Sequence, residues 1–107
     1  MHARTSSRTS FEPRPPDRAK VERVRRHLAE RFPNVRISVR DFGEGHPVAF
    51  LLRWIDRRDA RMRIARDRLS QHEAADEIVP AQALHALGLG QSVLVTHDEI
   101  VIESNVE

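Results

Sequence analysis

The chain has 107 residues, 39% hydrophobic and 32% charged, enough for a single hydrophobic core and too short for two. It has no cysteine, which excludes disulfides, thiolate zinc sites and thiol catalysis, and no stretch approaches the roughly 20 apolar residues that span a bilayer. The sequence pI near 10.3 accompanies a formal charge of only +2, because one Lys and no Tyr or Cys leave almost nothing to titrate between His and Arg.

Charge is unevenly placed. Residues 1–40 carry eleven basic and four acidic groups, residues 41–68 seven and five, and residues 69–107 none and seven. Such a chain has either two opposed surfaces or an acidic C-terminal part folded against a basic N-terminal one.

"MHARTSSRTSFEPRPP", residues 1–16, holds no aliphatic side chain larger than Ala and Met and is expected to be a disordered tail. Its Arg and Ser content is similar to that of an organelle transit peptide, but the apolar helical face is missing. The single domain is expected over 17–107.

From Asp17 to Phe32, Val21, Val24, Leu28 and Phe32 recur at helical spacing, Asp17 can cap the start and Pro33 ends the run. This predicts an amphipathic helix, with Glu22 and Arg26 paired on its outer face. "NVRISVRDF" then alternates Val35, Ile37 and Val39 with Arg36, Ser38 and Arg40, the pattern of a half-exposed strand, and Gly43, Gly45 and Pro47 turn the chain.

"VAFLLRWI", residues 48–55, is apolar on both faces except at Arg53 and is expected to form the spine of a sheet. After a charged turn, Ala60, Met62 and Ile64 alternate with Arg61 and Arg63 and predict a third strand. "SQHE" at Ser70–Glu73 has capping-box spacing and predicts a helix start. Pro80 interrupts that helix, and "AQALHALGLG" resumes it until Gly88 takes the cap position. "SVLVT" and "EIVIES" around "HD" predict a closing hairpin.

The fold class is therefore α+β: a mostly antiparallel sheet of three to five strands with an N-terminal amphipathic helix and one or two shorter helices, in the order α-β-β-β-α(α)-β-β. In that order the first helix, strand triplet and following helix resemble a double-stranded-RNA-binding domain, with "GEGHPVAF" where that family's first hairpin turn falls. The resemblance covers about half of the chain and stops at the second helix. There the family places lysines, whereas this sequence reads "SQHEAADE".

The stretch "RRDARMRIARDR", residues 57–68, is the densest cluster of candidate contact groups. Arg53, Arg57, Arg58, Arg61 and Arg63 are the candidate binding residues. Arg61 and Arg63 share one strand face, near Arg36 and Arg40 or near Arg53 depending on a register the sequence leaves open. Converging arginines neutralise phosphates. Recognition of single strands normally adds aromatic platforms, and only Phe42 and Phe11 are not committed to the core by pattern.

"HEAAD" at His72–Asp76 departs from the zinc-protease pattern by an Asp in place of the second His. "GLGQS" follows a helix and precedes a strand, the reverse of a phosphate-binding glycine loop. No triad, phosphate loop, metal set or paired-carboxylate site is expected, and no cofactor.

The leading expectation is a small cytoplasmic, non-catalytic interaction domain that binds a protein partner or itself through complementary basic and acidic surfaces, without contact to a membrane. The alternative is nucleic-acid binding, RNA or DNA, through the arginine-rich strand and turn.

Overall fold

The computed structural model describes residues 15–103. The elements follow as α1 (Pro15–Arg31), β1 (Arg36–Asp41), β2 (Val48–Arg53), β3 (Ala60–Ile64), α2 (Arg66–Gln71), α3 (Ala75–Ile78), α4 (Ala81–Gly88), β4 (Ser92–Val95) and β5 (Ile100–Glu103). This is broadly the expected α+β order, with three short helices between β3 and β4 where one or two were expected. The tail expected over 1–16 lies outside the described residues apart from Pro15 and Pro16, which form the first turn of α1. Proline is suited to that position because the first helical amides have no intrahelical acceptor.

The five strands form one sheet in the order β1-β2-β3-β4-β5. Three pairs are antiparallel and β3–β4 is parallel, with α2, α3 and α4 making the crossover. The middle position belongs to β3, not to β2, whose apolar run had suggested the spine. That run overstates the strand: Trp54 and Ile55 lie beyond it, Trp54 edge-on to Phe32 and Ile55 exposed in the turn.

One sheet face is built from Val48, Phe50 and Leu52 of β2, Ala60, Met62 and Ile64 of β3, and Val93 and Val95 of β4. It packs in a single cluster against Val24 and Leu28 of α1, Phe32, Leu69, Ile78, Val79, and Ala83, Ala86 and Leu87 of α4. All described helices therefore cover this face. Strand alternation then sends the arginines of β2 and β3 to the other face.

Local caps depart from the sequence reading at three places. Asp17, expected to cap the first helix, is the third residue of α1, which starts at Pro15. At "SQHE" a helix ends where one was expected to begin: α2 starts at Arg66 directly after β3, and the Ser70 hydroxyl donates back to the Asp67 carbonyl. Ala65 hands the chain over, its amide still bonded to Val95 of β4 and its carbonyl accepting from Arg68 and Leu69. Glu73, free of any capping role, reaches Lys20 and Arg23 of α1.

At the end of α4, Gly90 rather than Gly88 adopts the left-handed conformation, with φ of 84°. The amides of Gly90 and Gln91 bond to the carbonyls of Leu87 and Ala86, the two-bond Schellman closure that needs a residue free of Cβ strain. Gly88 instead presents its Cα to the Phe32 ring.

On α1, Glu22 accepts two hydrogen bonds from Arg25 and one from Arg26, so the expected outer pair is a triad in which Arg25 is the nearer partner. The Arg25 hydrogen bond holds the Glu22 carboxyl below the usual carboxylate range.

Lys20, the one lysine of the chain, is only 6% exposed. Its stem lies in the helix interface and its Nζ donates to the Leu69 carbonyl at 2.8 Å, closing the last turn of α2. Glu73 lies 3.5 Å away at the rim. Lys20→Met keeps the stem but leaves the Leu69 carbonyl without its donor, so it is expected to cost about 1–3 kcal/mol. Chemical denaturation read by circular dichroism checks it.

Candidate functional site

The face away from the helices is set by strand register. Arg36 of β1 stands opposite Arg53 of β2; Ser38 opposes Leu51, which opposes Arg61 of β3; Arg40 opposes Ala49, which opposes Arg63. Beyond Arg63 come Leu94 of β4 and Val101 of β5. Directly opposed residues share a face, and adjacent strands lie about 4.8 Å apart. Five guanidinium groups on three neighbouring strands thus stand over one face that no described helix covers, and a band of Leu94 and Val101 borders them.

Charges on this face are partly answered. Arg63 Nη2 donates to Glu103 of β5, and Arg53 lies 3.4 Å from Asp59 in the β2–β3 turn. Arg36, Arg40 and Arg61 have no ion pair among the described residues. Two like charges directly opposed across strands destabilise the pair, and the Arg36–Arg53 opposition is retained here with only Asp59 to offset it.

The five arginines named from sequence separate into two groups. Arg53, Arg61 and Arg63 reach the open face. Arg57 does not: its Nη1 donates to the Gly88 carbonyl at 3.0 Å and its guanidinium lies 5.2 Å from the Trp54 ring centroid, bracing the β2–β3 turn against the end of α4. Arg58, in the same turn, is also engaged in an interaction.

Arg36 and Arg40 replace them. Which neighbours Arg61 and Arg63 would have was open between β1 and Arg53, and the sheet supplies both, because β2 sits between the other two strands.

The remaining arginines of the 57–68 stretch hold loops. Arg66 bonds to the Asp41 carboxylate and to the carbonyls of Gly43 and His46, fixing the β1–β2 hairpin loop. Arg68 bonds to the carbonyls of Glu77, Ile78 and His97. The six arginines of this stretch differ in role: Arg61 and Arg63 project from the sheet, Arg57, Arg66 and Arg68 secure turns and loops, and Arg58 lies in the β2–β3 turn.

His72 lies just after α2 and Asp76 within α3. Among the described residues no three His, Asp or Glu side chains gather as a metal set would, and no described helix is long and apolar enough to cross a membrane.

A sheet face of guanidinium groups can neutralise and hydrogen-bond oxyanions arranged in series. No known protein family, curated protein or solved structure matches the chain. The class defined by its own geometry is a helix-backed α+β sheet domain with an open basic face.

Proposed function

We propose that the protein is a non-catalytic nucleic-acid-binding domain of the cytoplasm, needing no cofactor, whose open face holds the phosphate backbone through Arg36, Arg40, Arg53, Arg61 and Arg63. The observation that carries this reading is the register itself, which gathers cations from three strands on the face that no described helix covers. Arg36, Arg40 and Arg61 on that face have no ion pair among the described residues, whereas Arg57, Arg66 and Arg68 are engaged within the fold.

The test is fluorescence anisotropy of labelled RNA and DNA across a salt series with the full chain. Binding at low salt that weakens linearly in log–log form supports the reading. Absence of binding at the lowest salt defeats it.

A second reading, self-association, is favoured by a separate observation. Asp76, Glu77, Asp98 and Glu99 are exposed and form no ion pair among the described residues, so they offer a second copy a complement to the arginine face. Within the chain the acidic third meets basic groups through Glu73 with Lys20 and Arg23, and through Glu103 with Arg63. Light scattering that shows a dimer dissociating with salt, in protein that binds no nucleic acid, would select this reading.

A further inference from the structure

We infer that Phe42 is a stacking platform for an unstacked base and that the nucleic acid taken by the arginine face is single-stranded. This rests on the nucleic-acid reading above and narrows it to a substrate class.

Phe42 is 65% exposed, whereas Phe32, Phe50 and Trp54 are buried or half-buried in or against the core. It follows β1 directly, two residues beyond Arg40. Asp41 opposes Val48 on the helix-covered face and its carboxylate meets Arg66, and Phe42 is the next residue, at the end of the strand whose other face carries Arg36 and Arg40.

The loop that bears it is fixed. Besides the three Arg66 contacts, the Asp41 carboxylate accepts from the Gly43 amide and the Gly43 carbonyl accepts from the His46 amide. Gly43 and Gly45 have φ of 95° and 87°, which a side-chain-bearing residue would adopt only under strain.

His46 meets the Phe42 ring edge-on with centroids 6.3 Å apart, supporting it from one side. An exposed aromatic ring costs little to present when its loop is already ordered, and no conformational entropy of the loop has to be lost on binding.

A base within a duplex has no free π-face, and an isolated ring beside a row of phosphate-binding groups matches a strand whose bases can be turned out. Neither RNA nor DNA is singled out, since a base and a phosphate are common to both.

The experiment compares fluorescein-labelled oligo-U and oligo-dT with a duplex of equal length on the full chain, for the wild type and for Phe42→Ala, Phe42→Leu and Phe42→Trp. Single strands are expected to bind more tightly than the duplex. Phe42→Ala and Phe42→Leu are expected to weaken single-strand binding by about 5- to 150-fold with the salt slope unchanged, and Phe42→Trp to restore it.

Duplex binding as tight as single-strand binding, an unaffected Phe42→Ala, or a loss that Phe42→Trp does not restore each overturns the inference. In those outcomes the arginine-face reading stands if neutralising Arg36, Arg40 and Arg61 still weakens binding. No binding of any nucleic acid removes both.

Discussion

Neutralising Arg36, Arg40 and Arg61 together, each to Ala, is expected to abolish most of the salt dependence of nucleic-acid binding while leaving the fold intact. These three are the open-face arginines with no ion pair among the described residues, so their charge is available to phosphates without first breaking an internal contact.

Each neutralised phosphate contributes a slope of about −0.7 for single strands and −0.9 for duplex, so three contacts weaken binding about 20- to 40-fold between 50 and 200 mM salt. The triple variant should lose that dependence and bind at least about 20-fold more weakly at 50 mM salt. Its thermal midpoint should hardly move, because substitutions at exposed, unpaired positions usually fall within about 0.5 kcal/mol and removal of Arg36 also relieves its opposition to Arg53.

Arg57→Ala is the internal control. It loses the Gly88 hydrogen bond and the Trp54 contact, so it should lower stability and leave the salt slope unchanged. A triple variant with the wild-type slope would mean that phosphates lie elsewhere.

Much of this arrangement is legible in the sequence, and the boundary has a physical reason. Helix α1 is readable because Val24, Leu28 and Phe32 repeat at its own period, and β3 because Ala60, Met62 and Ile64 alternate with Arg61 and Arg63. Both patterns record which side of a single element meets the core.

Register is a relation between two elements, so Arg36 opposite Arg53 has no signature in either segment alone. Neither has the parallel direction of β3 and β4, for the intervening helices permit a crossover without encoding one. The capping-box reading failed because "SQHE" has the right spacing but no free helix start to serve, the chain having entered α2 from β3 at Ala65. The Gly88 cap was misplaced by two residues because both glycines satisfy the local rule, and Phe32 and Arg57 engage the first.

The same separation explains the site. The candidate list taken from sequence followed local arginine density and so included Arg57, whose hydrogen-bond acceptor, the Gly88 carbonyl, comes from the distant end of α4. Arg36 and Arg40 belong to a less dense segment and join the face only through β2. Phe42 stood out as an aromatic outside the core pattern, but its fixed loop depends on Arg66, more than twenty residues further along.

Phe50→Ala is expected to destabilise the protein by about 3–5 kcal/mol, a large part of the roughly 5–15 kcal/mol that holds a domain folded. Phe50 is fully buried, opposes Val39 on one side and Met62 on the other, and is the largest completely enclosed side chain among the described residues. Its removal leaves a cavity that strands held by hydrogen bonds on both edges cannot collapse to fill.

In a thermal melt the midpoint should fall by at least about 12 °C. Phe42→Ala, eight positions earlier in the same hairpin and exposed, should melt close to the wild type. The comparison also tests the binding face. Alternation along β2 ties the inward direction of Val48, Phe50 and Leu52 to the outward direction of Ala49, Leu51 and Arg53, and pairing passes it on to Arg36, Arg40, Arg61 and Arg63. If the two phenylalanine variants melted alike, the inward face of β2 would be wrongly assigned, and the arginine face would fall with it.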